Sequence, residues 1–291
     1  MSRIYDALKR SGEPRTNKIS ETIDAIQSEV ETGELAERVS SVATLAAMEP
    51  EPVVMDEPFG AYQMTLAVKP ASSAVFPFNG SDAIAAEQYR MLRTNLVQHP
   101  AQPHVLAISS ATSGDGKSTT TINLGGTFAL KSESNVLIID ADLRRCSVAA
   151  SLGLEVGRGL TDVLRGECAV DDAIVRLDQM PNLHVLASRR STTNPAELLD
   201  SPAWKNLIQD LRERFSYILI DTTPMQAVAD FKLVQQVVDG VVMVVRPDHT
   251  SRPALERALT TADDKLLGLV VNAYEDWFLF DSSHNYGYYA S

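Results

Sequence analysis

This 291-residue chain has no long hydrophobic run, little cysteine and no surplus of positive charge. Each absence excludes something. No apolar stretch approaches the roughly 18–20 residues that span a bilayer, and the opening MSRIYDALKR lacks the apolar core of a signal peptide. Membrane association is therefore expected only through a partner. The two cysteines, Cys146 and Cys168, form no C-x-x-C pair and stand beside no histidine cluster, so no zinc site or other metal cluster is expected and a reduced, cytoplasmic setting fits. With 26 Lys/Arg against 38 Asp/Glu the net charge is −12, which argues against nonspecific nucleic-acid binding and against a polybasic membrane anchor.

What is present is enough apolar residue, 44%, to bury an α/β core of about 200 residues and leave an extension over. Residues 1–80 carry 7 Lys/Arg against 12 Asp/Glu, and prolines at 50, 52, 58, 70 and 77 make the later half read as linker. Before it, Ile4 and Leu8 lie one turn apart, and Ile19, Ile23, Ile26 and Val30 follow helical spacing in a narrow apolar stripe. Two readings stand: a partly disordered acidic extension with transient helices, or a docking helix for a partner.

The stretch HVLAISSATSGDGKSTTTI, from His104 to Ile122, reads as strand, glycine-bearing loop and helix. That order gives a phosphate-binding loop its context. Gly114 and Gly116 let backbone N–H groups turn toward phosphate oxygens, and the helix that follows begins with free N–H groups and the positive end of its dipole. Lys117 would reach the β and γ phosphates, and Ser118 would place its hydroxyl on Mg²⁺. Ala111 stands at the first glycine of G-x-x-x-x-G-K-[ST].

Two later strands end in acid. VLIIDAD reads as an apolar strand ending in two carboxylates, Asp140 and Asp142 at i and i+2 and so on the same side, with Arg144 and Arg145 next; YILID ends in Asp221 before Thr222, Thr223 and Pro224. Carboxylates at strand ends beside a triphosphate hold Mg²⁺ directly or through water. Ahead of the loop, Ser81 to Leu96 reads as helix with Ser81 as N-cap, and puts Glu87, Arg90 and Arg93 on one stripe. That stripe is either an ion pair with a solvated charge, or a device that presents both signs to a neighbouring subunit.

In these motifs the chain resembles the bacterial tyrosine kinases of polysaccharide biosynthesis, the BY-kinases, in their stand-alone cytoplasmic form. SSATSGDGKST at 109–119 is similar to that family's P-loop, LIIDADLR at 137–144 to its second acidic motif, ILID at 218–221 to its Walker B, and EQYRMLR at 87–93 to its E-x-x-R-x-x-R oligomerisation helix. GLTDVLRG at 159–166, NPAELLDS at 194–201, DGVVMVVR at 239–246 and LGLVVN at 267–272 also match, and MSRIYDALKR resembles the opening of members tied to exopolysaccharide export. The chain departs from the pattern at Thr223, where the family usually has proline, and at Ala187 and Ser188, where Ala-Gly is more usual. Thr112 stands where the related septum-site and partition ATPases carry a signature lysine.

The resemblance implies an α/β, P-loop NTPase-like fold, a mostly parallel sheet flanked by helices, at 81–275, preceded by the extension at 1–80 and followed by a tyrosine-rich tail at 276–291. It implies ATP and Mg²⁺ as cofactors. Ser113, Gly114, Asp115, Gly116, Lys117, Ser118 and Thr119 would bind the nucleotide. Asn272 would contact its base, or serve only as a strand-end turn residue. Ser118, Asp142 and Asp221 would hold the metal; Lys117, Asp140 and Asp142 are the catalytic candidates, Asp140 orienting or deprotonating the acceptor hydroxyl unless it and Asp142 exchange roles. Tyr286, Tyr288 and Tyr289, three of the eight tyrosines, lie in the last six residues and are the implied phosphoacceptors, unless the tail docks on its own domain through these rings. Implied partners are further copies of the chain, the cytoplasmic segment of a membrane polysaccharide co-polymerase that activates it, and a tyrosine phosphatase; the implied place is the cytoplasmic side of the inner membrane. The rival expectation is a nucleotide-switched ATPase scaffold of the partition or septum-site type, with a nucleotide-binding degenerate kinase behind it.

Overall fold

VLAISS, VLIID and most of GVVMVV are buried at every position, as strands covered on both faces must be, and they form the middle of one sheet. The structure is a computed structural model and describes residues 64–66, 83–188, 192–225 and 229–273. Its elements are β1 (Met64–Leu66), α1 (Ala83–Val97), β2 (Val105–Ser110), α2 (Lys117–Ala129), β3 (Val136–Asp140), α3 (Val148–Leu152), α4 (Leu160–Leu164), β4 (Val175–Leu177), β5 (Met180–Leu186), α5 (Pro195–Leu199), α6 (Pro202–Arg214), β6 (Tyr217–Asp221), α7 (Asp230–Gln235), β7 (Gly240–Val245), α8 (Arg252–Ala262) and β8 (Leu266–Val271). Strand order in the sheet is β1-β4-β5-β3-β6-β2-β7-β8. Among the described residues only β4 and β5 pair antiparallel, so the expected mostly parallel α/β fold is present.

The register places the chemistry. Strand β2, which leads into the phosphate loop, lies between β6 and β7, and Asp221 is the partner of Ile108 on one side and of Asp140 on the other. Asp239 anchors the far end of β2: its Oδ2 accepts from the His104 and Val105 N–H groups at 2.9 and 2.8 Å, and Arg212 grips its Oδ1 at 2.7 Å.

Helix α6 shows how local sequence sets an element. Ser201 caps it by accepting from the Trp204 N–H, Pro202 occupies the first turn, and Trp204, Leu207, Ile208 and Leu211 bury one face at i, i+3, i+4 and i+7. Helix α2 is buried almost throughout, with Ile122 and Leu124 in the same core as Ile108, Ile138 and Leu219. Helix α1 lies over it. The Tyr89 hydroxyl meets Thr120 Oγ1 at 3.5 Å and Arg93 Nη1 donates to the Thr127 carbonyl at 3.1 Å. Among the described residues no helix is long and apolar enough to cross a membrane. The expectations for the N-terminal stripes, the Ser81 cap and the tail tyrosines fall outside the described residues.

Candidate active site

The phosphate loop joins β2 to α2 and turns on two left-handed glycines, Gly114 at φ 93° and Gly116 at φ 99°, a conformation that costs a side chain dearly. A Cβ at Gly116 would also stand 1.9 Å from Asn272 Nδ2. Ala111 is not among the residues of positive φ, so the missing first glycine of the motif is not needed here. Helix α2 starts at Lys117 with no side-chain cap, which leaves its first N–H groups to serve an anion. Lys117 itself is nearly buried at 7% exposure.

Two carboxylates close the site from β6 and β3. Ser118 Oγ donates to Asp221 Oδ2 at 2.5 Å and lies 2.6 Å from Ser147 Oγ, while Thr121 approaches Asp221 Oδ1 at 3.4 Å. Asp140 Oδ2 accepts the Ser147 and Val148 N–H groups at 3.0 and 3.1 Å, and its Oδ1 is buried without a partner. Strand β3 stops at Asp140, so Asp142 sits in the loop beyond; the same-side argument from strand alternation does not apply to it. It still belongs to the cluster, because its charge raises the pKa of both other carboxylates, and its Oδ1 accepts the Arg145 N–H at 3.0 Å.

Burial is the main cause of the unusual electrostatics. It pushes Asp221 up to about 6 against the opposing Ser118 hydrogen bond and Lys117 charge. Asp140 is raised well above the ordinary carboxylate value, first by burial and then by the charge of Asp221. Such groups are short of positive charge. A nearly buried lysine, uncapped helix N–H groups, an orphaned carboxylate oxygen and three crowded carboxyl groups are the donor set that a magnesium nucleotide fits.

Several residues that hold this arrangement carry no motif. Asp115, expected to bind nucleotide, has its carboxylate fully buried, and there it accepts from the Thr112 N–H, Thr112 Oγ1, His249 and Thr250; any contact with phosphate comes from the backbone. Burial opposes its charge, but those hydrogen bonds outweigh it and hold Asp115 below the usual carboxylate value. Asn272 donates to the Asp115 carbonyl at 2.8 Å, so here it braces the loop. Ser188, one of the departures, donates to the Asp140 carbonyl at 2.7 Å. Ser109 donates to the carbonyl of Thr223, whose own hydroxyl is buried without a partner. Arg145 reaches Ser113 at 2.9 Å, and Arg144 forks onto buried Asp230 at 2.8 and 3.2 Å. Only hydrogen-bond capacity near the loop could have signalled Ser147, Ser188 and His249.

Comparison with known proteins agrees with this geometry. Residues 103–266 match the family profile described as an AAA domain. Over 214 residues the chain is 36% identical to tyrosine-protein kinase YwqD of Bacillus subtilis, covering 72% of this chain and 88% of that one. The chain belongs to the bacterial tyrosine-protein kinases. It is also 31% identical over 207 residues to tyrosine-protein kinase CpsD of Streptococcus agalactiae, covering 69% and 89% of the two chains. The crystal structure of the chimerical protein CapA2B2 superposes on this kinase with a TM-score of 0.67 at 26% identity, over 73% of this chain and 94% of that one. Glu87, Arg90 and Arg93 of the kinase lie on α1, where Arg90 pairs with Glu87 at 2.7 Å with both side chains exposed.

Proposed function

We propose that this kinase transfers the γ-phosphoryl group of ATP to tyrosines of its own C-terminal tail, within an oligomer that serves capsule or exopolysaccharide assembly. The observation that carries the reading is the pairing of Ser118 with Asp221 beside an Asp140 oxygen that has no partner. When bound, Mg·ATP supplies the phosphoryl group and the cation that offsets its charge. The loop N–H groups and Lys117 stabilise negative charge on the phosphoryl oxygens, where most of the catalysis lies. Ser118, Asp142 and Asp221 would hold the cation. Asp140, whose buried Oδ1 has no partner, would take the proton of the attacking phenol there.

In this reading residues 81–275 are the kinase domain, 276–291 the acceptor tail with Tyr286, Tyr288 and Tyr289, and 1–80 an extension. The exposed Glu87–Arg90 pair and Arg93 face a neighbouring copy. Phosphates added to a tail with no Lys or Arg repel neighbours and loosen the oligomer, a tyrosine phosphatase reverses this, and the cytoplasmic segment of a membrane partner activates the enzyme at the inner membrane.

The test is intact mass and phosphotyrosine mapping after incubation with Mg·ATP, with that membrane partner's segment supplied. Phosphates are expected on Tyr286, Tyr288 and Tyr289, and absent in Lys117→Met and in the triple Tyr→Phe chain. ATP turnover with no phosphate on any tyrosine would replace the kinase reading with the nucleotide-switched scaffold.

A further inference from the structure

Where the loop between β7 and α8 (246–251) meets the phosphate loop, a cluster of side chains takes no part in the chemistry above. Asp115 is fully buried there, and His249 Nδ1 lies 2.8 Å from its Oδ1. A carboxylate only accepts, so the ring donates from its Nδ1–H. The Thr250 hydroxyl donates to the same oxygen at 2.9 Å, while the N–H and hydroxyl of Thr112 complete the set at 2.9 Å each. Thr250 is itself fixed: its N–H donates to the Arg246 carbonyl, and its hydroxyl accepts from the Arg246 N–H at 3.1 Å.

The residues on either side of Asp115 are the two left-handed glycines, which bring no side chains of their own to brace the turn. Their conformation depends on what grips Asp115. From the end of β8, Asn272 holds the Asp115 carbonyl and fills the space over Gly116; from the end of β7, the His249 ring lies 3.4 Å from where a Cβ of Gly114 would be. Two strand ends thus clamp the loop around one buried carboxylate.

We infer that His249 is a positioning residue for phosphoryl transfer: by holding Asp115 it keeps the phosphate loop in the turn that aims its N–H groups at the nucleotide. The inference rests on the nucleotide-binding reading above. A loop released from the clamp must be ordered by each incoming nucleotide, and that cost falls on binding rather than on the chemical step.

The experiment uses the full chain with His249→Ala, His249→Asn and Thr250→Val, measuring Mg·ADP affinity, ATP kinetics and the unfolding midpoint without nucleotide. His249→Ala is expected to weaken Mg·ADP about tenfold, as for loss of a hydrogen bond to a charged group, and to raise the KM for ATP similarly with kcat within about twofold. Thr250→Val, removing the second donor, is expected to act in the same direction. His249→Asn, whose amide N–H can take the place of Nδ1–H, is expected to return affinity to within about twofold of wild type. Midpoints that agree across the set would show that the effect is confined to the loop. Wild-type affinity in His249→Ala, or no rescue by His249→Asn, would overturn the inference. A wild-type chain that does not bind Mg·ADP would overturn the nucleotide reading itself, which separates the two failures.

Discussion

Strands β3 and β6 end in the same residue type at the same level of the sheet, yet the two carboxylates are held by different chemistry. Asp140 is tied to backbone, through two N–H groups at the start of α3 that both bind Oδ2, and its other oxygen is left over. Asp221 is tied to side-chain hydroxyls, those of Ser118 and Thr121, beside the lysine of the loop. Hydroxyls can turn to share a cation, whereas a backbone pair cannot move. In the proposed mechanism that difference suits Asp221 to the cation and Asp140 to the proton.

The largest expected effect would break the β6 side. Asp221→Asn should lower kcat about a thousandfold and abolish the tightening of nucleotide binding by Mg²⁺, read by titrating the metal against bound ADP. Asp140→Asn should lower kcat about a hundredfold while Mg·ADP affinity stays within about twofold. Equal losses of affinity in both variants would erase the distinction.

Stability sharpens the comparison in the opposite direction. Asp221 ionises near 6 in the metal-free fold against an ordinary value of 3.8, so the folded protein binds the extra proton in that window. Its contribution to stability is complete below 3.8 and is lost as pH rises through 6. At neutral pH the forced charge destabilises the fold, and Asp221→Asn should relieve it, raising the unfolding midpoint of the nucleotide-free protein by several degrees at pH 7.5 and by little at pH 4. A variant less stable than wild type at pH 7.5 would show that the hydroxyl bonds outweigh burial.

The smallest effect lies away from both strand ends. The exposed Glu87–Arg90 pair should be worth about 0.5 kcal/mol or less, so Arg90→Ala should leave the midpoint and Mg·ADP binding alone while shifting sedimentation toward smaller species. Unchanged sedimentation would remove that stripe from the oligomer interface.

The parts of this site that were legible in sequence are those in which one residue type does one job at fixed spacing. Glycines with left-handed backbone, a lysine and serine at a helix start, and aspartates ending fully apolar strands can be read that way, and with them the parallel sheet. Contacts made over long sequence separations carried no such signal: His249 and Asn272 reach Asp115 across more than a hundred residues, and Ser188 braces Asp140 from another strand end. Strand alternation misplaced Asp142 because β3 ends one residue before Ala141 carries the chain into a loop. The short hydroxyl residues were the hardest to foresee, since Ser147 and Ser188 look like ordinary loop residues until the fold aims them at Asp140 and Ser118.

A strand ladder is also a ruler. Asp140 and Asp221 are rung partners on adjacent parallel strands, so their backbones are spaced by the sheet's own repeat of about 4.8 Å, and no arriving or departing ligand can stretch it. Regulation of the proposed transfer would act through parts that are not on the ruler, such as the loops bearing Asp142 and His249. The gauge is fixed, and timing would belong to those loops.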